Sequence, residues 1–309
     1  MGEALGGVCM SELTIEKVTA ELDALVEKMG SPLDAMDHYI HLKRQDNVDI
    51  KTVIQLISQY AHASGDADLV DEFELHYFCA CMMSRLSKVT KVMYGEEVWK
   101  RIFGGIEIPT ETWTDWTQVE RKDFALFIQQ KFQSVTSLND YKRALEAVSR
   151  TWISDDGSVG TAKKDVTLRD IDVFIEACNT DFFRELKKNH ESDDAVMDEF
   201  CSDKWKIRRE GSKIIVVQKP FLKNRYISQT DSKMKRYYAC RCPWARASIL
   251  KGETVSSSLC HCSLGYQKQS FETFFGRHLD GRVVSSVLED MMQCVFEIDI
   301  PEEVMHQNI

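Results

Sequence analysis

The sequence predicts an α+β fold, in which a helical N-terminal half is followed by a smaller C-terminal domain with an antiparallel sheet. Three observations support this prediction. Apolar residues recur every three to four positions in the first half, which is the spacing of one helix face. Alternation with a period of two begins near Lys204 and returns at the C-terminal end. Residues 154–165, between these regions, are polar and contain glycine, which indicates a linker. We therefore expect a helical domain at residues 1–154 and a cysteine-rich α+β domain at residues 167–309.

The helices of the first half are predicted from their apolar stripes and their end signals. The first stripe runs from Ile15 to Met29, and Gly30 is expected to end that helix. Ser31 and Pro32 then have the residue types of an N-cap and a first helical position. Further helices are predicted over residues 49–65, 67–95, 116–132 and 141–152. After the linker, Thr167 and Asp170 resemble a capping box that opens another helix.

The strands are predicted as two hairpins. Residues 204–209 and 213–218 flank the short turn EGS and form the first hairpin. In the last strand, Cys294, Phe296, Ile298 and Ile300 fall on one face, while Val295, Glu297 and Asp299 fall on the other. Residues 282–288 are expected to pair with this strand. A short helix over residues 265–276 is expected to turn Phe271, Phe274 and Phe275 inward.

Composition and charge narrow the class of protein. Of 309 residues, 43% are hydrophobic and 28% are charged, which is typical of a globular protein. We find no apolar run long enough for a membrane helix and no secretory signal, and we expect a cytoplasmic protein with free or metal-bound cysteines. The net charge is −10, yet residues 204–268 hold 15 basic residues against three acids. This basic segment predicts a small anionic ligand or acidic neighbours in the fold, while nucleic acid is ranked low because no binding module is recognisable.

Four of the ten cysteines form two Cys-x-Cys pairs in the basic segment, separated by 17 residues. Cys240, Cys242, Cys260 and Cys262 supply the number of thiolates that a closed zinc site takes, although zinc sites mostly have two to four residues between ligands. Pro243 interrupts regular pairing and would let both sulfurs of the first pair face one side. Three interpretations remain open: a zinc site, redox or nucleophilic thiols, and thiols that pack in a core.

Other residues are candidates for roles beside these thiols. Cys260 and Cys262 are candidate nucleophiles, with His261 as a metal ligand, a general base or a surface residue. Trp244 is expected to stack on a ligand or to pack in the core, and Arg241 and Arg246 are candidate anion anchors. Cys294 is expected to pack in the core or to add a fifth thiol. Cys79 and Cys81 form a third Cys-x-Cys, but a regular helix turns them to opposite sides, which favours packing.

The C-terminal blocks CRCPWARASIL, LCHCSLGYQKQSFETFFG and VVSSVLEDMMQCVFEI resemble a prokaryotic family of unknown function. Its members share a Cys-x-Cys-Pro block, a Cys-x-Cys-Ser-x-Gly-Tyr block, an FExxFG helix and a Cys-x-Phe-x-Ile strand. EDMMQCVFEI is also loosely similar to the end of vinyl-4-reductase domains, which are α+β small-molecule-binding modules. That resemblance aligns Cys294 with a zinc ligand, but Val283 and Ser286 replace the other ligand types. The tail also resembles that of aminothiazoline-carboxylate hydrolases.

Three functions follow as hypotheses. The first is a small-molecule-binding protein with a C-terminal cysteine cluster that binds zinc. The second is a thiol-dependent enzyme, either a redox enzyme or a hydrolase of a small carboxylated heterocycle. The third is a structural or partner-binding protein with packed free thiols. Whether the chain is an enzyme and whether it forms a homo-oligomer stay open.

Overall fold

The computed structural model describes residues 13–46, 48–78, 81–108, 115–151, 166–190, 193–251 and 255–306. The predicted linker at 154–165 and Cys79 lie outside these residues, so the third Cys-x-Cys cannot be placed as a pair. The first part of the chain is helical. Its helices are α1 (Ile15–Met29), α2 (Pro32–Gln45), α3 (Ile50–Ala63), α4 (Ala67–Phe78), α5 (Cys81–Phe103), α6 (Gln118–Val135) and α7 (Leu138–Arg150).

The second part combines shorter helices with a sheet. Its helices are α8 (Leu168–His190), α9 (Asp194–Phe200), α10 (Lys223–Ser228), α11 (Ser232–Ala239), α12 (Arg246–Lys251), α13 (His261–Phe275) and α14 (Glu302–His306). Three 3-10 helices span Asp203–Trp205, Ser257–Cys260 and Val287–Glu289. The strands are β1 (Arg208–Glu210), β2 (Lys213–Gln218), β3 (Gly281–Ser285) and β4 (Cys294–Asp299). The predicted α+β class is thus confirmed.

The predicted helix ends are confirmed where the sequence carried capping signals. Gly30 ends α1 with a φ of 70°, a left-handed conformation that glycine adopts without strain. The hydroxyl of Ser31 accepts a hydrogen bond from the backbone N–H of Asp34 at the start of α2. Thr167 and Asp170 exchange hydrogen bonds at the start of α8, as a capping box does. The side chains of Ser31, Thr167 and Asp170 each accept a hydrogen bond from a backbone N–H group at a helix start, and the N–H of Gly30 bonds to the carbonyl oxygen of Val26.

The four strands form one antiparallel sheet in the order β1-β2-β4-β3. Both hairpins are present, but the first strand is shorter than predicted, because Asp203–Trp205 form a 3-10 helix and β1 covers only Arg208–Glu210. Strand β2 pairs with β4 in register with Val216 opposite Phe296. Phe296 and Ile298 are fully buried and pack against Phe271 and Phe275 of α13. The alternation in β4 therefore buries the face that the sequence predicted, because successive side chains point to opposite faces of a strand.

The core extends across the boundary predicted at residues 154–167. The largest hydrophobic cluster joins side chains of α5, α6 and α7 to side chains of α11, α12 and β4. Helix α7 packs closely on α13. A Cβ added at Gly265 in α13 would lie 2.4 Å from the carbonyl oxygen of Glu146 in α7. The division into two domains stays a prediction, but the two parts share a core within the residues described.

A search of the described helices for a membrane span finds none that is both long and apolar enough to cross a bilayer.

Candidate functional site

A cavity of about 350 Å³ opens where the helical part of the chain meets the end of the sheet. Its walls come from α4, α5 and α7 on one side and from the ends of β2 and β4, the loop after α11 and the start of α13 on the other. Leu75, Met82, Leu259, Val287 and Leu288 provide apolar walls. The rim is more polar, because the exposed residues Asp71, Glu74, Arg241 and Tyr266 lie there.

Five thiols line this cavity, and they include both Cys-x-Cys pairs. The chain therefore brings together two pairs that are 17 residues apart in sequence. Cys294, at the start of β4, adds a fifth sulfur. A fifth thiol beside the two pairs was one of the two roles predicted for Cys294. The cavity-lining thiols are Cys240, Cys242, Cys260, Cys262 and Cys294.

The first pair reaches the cavity because the backbone turns directly after α11. The carbonyl oxygen of Cys242 accepts hydrogen bonds from the backbone N–H groups of Ala245 and Arg246, both at 3.1 Å. Pro243 lies inside this turn, and both cysteines of the pair line the cavity. The expectation of a non-extended backbone at Pro243 is confirmed.

The second pair lies at the junction of a 3-10 helix with α13. Cys260 is the last residue of the 3-10 helix, and Cys262 lies in the first turn of α13. Cys262 is held to α7 by the hydroxyl of Ser149, which donates to the Cys262 carbonyl oxygen at 2.5 Å. The pair is thus anchored to the helical half through main-chain as well as side-chain contacts.

His261, predicted as a general base between the two cysteines, turns away from the cavity. Its Nδ1 lies 2.6 Å from Oε1 of Glu146 on α7, and it is not part of the cavity lining. The other oxygen of Glu146 accepts a hydrogen bond from Nζ of the buried Lys268 at 2.6 Å. The position of His261 therefore favours a role in joining α13 to α7 over proton transfer in the cavity.

The two predicted anion anchors have different surroundings. Arg241 lies at the cavity rim and stacks over the ring of Phe221. Arg246 is fully buried outside the lining, where its guanidinium lies over the ring of Tyr237 and its Nη2 donates to Glu72 at 3.0 Å. Arg246 is already neutralised by a protein carboxylate, so its position gives no support for binding a ligand's anion.

Trp244 lines the cavity and is fully buried, so it is at once a wall of the cavity and a core residue. Its ring contacts the rings of Trp116 and Phe124 at 6.3 Å and 5.9 Å between centroids. The sequence had offered stacking on a ligand and packing in the core as alternatives. The aromatic contacts show the packing role, while ligand stacking stays a prediction.

Burial is the main cause of the raised pKa of two cavity thiols, Cys240 and Cys242. It raises the pKa of Cys240 to about 12, with Cys294 as a further cause. It also raises the pKa of Cys242 well above its usual value, together with the neighbouring Cys240 and Cys262. Cys260 and Cys294 hydrogen-bond to each other, which raises the pKa of Cys260 and lowers that of Cys294. Because their pKa values are raised, Cys240, Cys242 and Cys260 are protonated at neutral pH, and protonated thiols are poor nucleophiles.

The geometry gives no direct support for the predicted zinc site. A search of the described ranges finds no group of three or more His, Cys, Asp or Glu side chains arranged to hold a metal ion. The four cysteines of the Cys-x-Cys pairs have the right chemistry for zinc, since thiolates are its common ligands. The zinc site therefore stays a prediction from residue types and spacing.

A buried ion-pair network beside the cavity was not predicted from the sequence. Glu72 on α4 is 1% exposed and accepts hydrogen bonds from Arg246, from Arg225 at 2.6 Å and from the hydroxyl of Tyr237 at 3.1 Å. The same Tyr237 hydroxyl also lies 2.9 Å from Oε1 of Gln118 on α6. The network fixes α4 and α6 against α10, α11 and α12, and the loop between α11 and α12 forms one wall of the cavity. The sequence signal that could have indicated this network is an acidic residue, Glu72, at an inward position of a predicted helix.

Comparison of the chain with family models, with curated proteins and with solved structures finds no match in any of the three.

Proposed function

We propose that this protein binds a small, largely apolar molecule in the cavity lined by the five thiols. The observation that carries the proposal is the cavity itself, whose volume of about 350 Å³ is in the usual range for small-molecule sites. Its inner walls are apolar side chains and cysteines, so an apolar ligand would lose little polar hydration on entering. This proposal corresponds to the first of the hypotheses drawn from the sequence.

The walls are held in place from both sides, which favours a preformed site. The Glu72 network fixes α4 to the loop-bearing helices α11 and α12. On the other side, Arg150 of α7 forms a two-pronged ion pair with Glu272 of α13, with N–O distances of 3.0 and 3.1 Å. A preformed cavity binds its ligand without the cost of ordering loops.

The charge at the rim bears on the kind of ligand. The charged residues of the lining, within the part of the chain that the structure describes, are Asp71, Glu74 and Arg241. Two acids beside one base favour a neutral ligand over the small anion predicted from the basic segment. The anionic ligand stays an alternative, with Arg241 as its anchor, and the competing ligands in the experiment below separate the two.

The test uses the neutral fluorophore 1-aminoanthracene as a probe of the cavity. Ser263 and Ser270 are both in α13, but Ser263 lines the cavity while Ser270 is exposed outside the lining. We expect Ser263→Trp to abolish the fluorescence increase on binding and Ser270→Trp to leave it unchanged. Competition by neutral aromatic compounds, and not by their carboxylates, would support a neutral ligand. Equal binding by both variants, or no binding by the unaltered chain, would contradict the proposal.

A further inference from the structure

Two polar side-chain atoms at the cavity wall have no hydrogen-bond partner within the described part of the chain. They are the indole Nε1 of Trp244 and the side-chain oxygen Oε1 of Gln218, and both residues line the cavity. Both atoms are buried. A buried polar atom without a partner costs the folded state free energy, and a buried Trp N–H normally finds an acceptor. These two atoms therefore indicate where the polar groups of a ligand would bind.

The position of Trp244 is fixed by packing. Trp244 lies in the turn between α11 and α12, and its ring contacts those of Trp116 and Phe124. Its Nε1–H is a donor only, so it binds an acceptor and not another donor. Trp205, which is equally buried but lies outside the cavity lining, shows the usual arrangement, since its Nε1 lies 3.4 Å from Oε1 of Glu199. The indole N–H of Trp244 is therefore a donor held at the cavity wall.

The position of Gln218 is fixed by the sheet. Gln218 is the last residue of β2 and lies opposite Cys294 of β4, which also lines the cavity. A side-chain carbonyl oxygen is an acceptor, so Oε1 of Gln218 binds a donor. In contrast, Oε1 of Gln118 lies 2.9 Å from the hydroxyl of Tyr237. The cavity wall thus offers one donor and one acceptor, and neither group is charged.

The two unpartnered groups discriminate between ligand chemistries. A carboxylate accepts hydrogen bonds but donates none, so it would leave Oε1 of Gln218 unpaired. An ammonium group donates but does not accept, so it would leave Nε1 of Trp244 unpaired. Either ion would also lose hydration without gaining a counter-ion from these two groups. An amide is uncharged and carries its donor and its acceptor on different atoms, which suits two protein groups that come from different elements.

We propose that the cavity binds a neutral amide on an apolar body, with the amide carbonyl oxygen accepting from Nε1 of Trp244 and the amide N–H donating to Oε1 of Gln218. The inference rests on the proposed function, because the ligand occupies the same cavity. Folding has already removed both protein atoms from water, so only the ligand gives up hydration when these bonds form. The amide therefore adds affinity and a fixed orientation to the apolar contacts that walls such as Leu75 and Met82 supply.

The first experiment compares three molecules of nearly the same shape. 2-Naphthamide carries a donor and an acceptor, 2-acetylnaphthalene carries an acceptor alone, and 2-isopropenylnaphthalene carries neither. Displacement of 1-aminoanthracene from the unaltered chain gives the dissociation constant of each.

We expect the amide to bind about tenfold more tightly than the ketone, and the ketone about tenfold more tightly than the alkene, because each step adds one hydrogen bond to a buried group. A cavity without polar recognition would give the opposite order, since the alkene loses the least hydration on entering. The opposite order would therefore overturn the inference.

The second experiment removes each protein group. Trp244→Phe deletes the N–H but keeps an aromatic ring, so it should lower the ratio of ketone affinity to alkene affinity by about tenfold. Gln218→Leu deletes the acceptor and should lower the ratio of amide affinity to ketone affinity by about tenfold. Ratios measured within one variant cancel a general change in the cavity. Trp205→Phe, at a buried tryptophan outside the lining, is the control and should keep both ratios. Unchanged ratios in folded Trp244→Phe and Gln218→Leu proteins would contradict the assignment.

The third experiment needs no variant. In protein that contains ¹⁵N-labelled tryptophan, NMR reports the indole N–H signals of the six tryptophans. We expect one signal to move downfield with 2-acetylnaphthalene but not with 2-isopropenylnaphthalene, because a hydrogen bond deshields the proton. No such shift at saturating ketone would overturn the inference, while binding of 1-aminoanthracene would leave the proposed function standing. Absence of 1-aminoanthracene binding would contradict the proposed function and this inference with it, so the two failures can be told apart.

Discussion

The α-carbon of Gly265 and the main chain of Glu146 approach so closely that a Cβ at position 265 would lie 2.4 Å from the Glu146 carbonyl oxygen and 2.8 Å from its Cα. Both distances are shorter than non-bonded carbon contacts allow. The absence of a side chain at Gly265 is therefore what lets α13 pack directly on α7 and carry Cys260 and Cys262 to the cavity.

We expect Gly265→Ala to force α7 and α13 apart. Because the clash is with rigid backbone, the free energy of unfolding should fall by about 1–3 kcal/mol or more, the usual cost of overpacking. Urea denaturation measures this change. Ser270→Ala, at an exposed position of the same helix, is the matched control and should change stability by less than about 0.5 kcal/mol. Equal effects of the two variants would argue against the close approach.

The Glu72–Arg246 ion pair predicts a large effect of removing one charge. Glu72→Gln leaves the buried guanidinium of Arg246 without its carboxylate and should cost about 3–5 kcal/mol of unfolding free energy. The double variant Glu72→Met, Arg246→Met removes both charges and should recover part of that loss. Glu97→Gln, in the exposed pair with Lys100, should cost under about 1 kcal/mol. A double variant less stable than Glu72→Gln would contradict this account.

His76 predicts a loss of stability in mild acid. Burial, followed by the charges of Arg121 and Arg246, holds the pKa of His76 well below its usual value of 6.5. The folded state therefore keeps His76 neutral, while the unfolded chain takes up a proton as the pH falls below 6.5. Its contribution is fully present above that pH and is lost below it, at about 1.4 kcal/mol per pH unit.

The measurement is the free energy of unfolding at pH 5, 6 and 7, compared with that of His76→Gln. We expect the variant to be less stable at pH 7. The slope of its free energy of unfolding against pH should be smaller than that of the unaltered chain, by the equivalent of about one bound proton. The slope is informative even if the substitution weakens the fold, because it reports proton uptake and not absolute stability. Parallel curves for the two proteins would show that His76 is not buried as a neutral group.

The predicted zinc site has a direct test. Cys240, Cys242 and Cys260 have raised pKa values, so zinc would have to displace their protons and its affinity should fall as the pH is lowered. The zinc hypothesis predicts about one zinc per chain in elemental analysis of protein purified without added metal, lost in the double variant Cys240→Ser, Cys260→Ser. Cys201→Ser, an exposed cysteine, is the control. No zinc in the unaltered chain would contradict the prediction.

Local features of the fold could be predicted because short-range signals determine them. Gly30, Ser31 and the Thr167–Asp170 pair act on neighbouring backbone groups, so their residue types alone indicate helix ends. The hairpins were predicted for the same reason, since alternation in β4 records which side of the strand is buried. The short helices α9 to α12 were not predicted, because they contain too few turns to show a clear apolar stripe.

The sequence by itself determined the α+β class, the positions of most long helices, both hairpins and the set of residue types available for chemistry. It also showed that Cys240, Cys242, Cys260 and Cys262 were candidates. Only the tertiary structure decided that these thiols line one cavity with Cys294, that His261 faces Glu146 and that Arg246 is paired with Glu72. The physical reason is that these relationships join residues of separate elements through packing of helices and strands. A pattern of spacing describes one element at a time and carries no information on which faces meet.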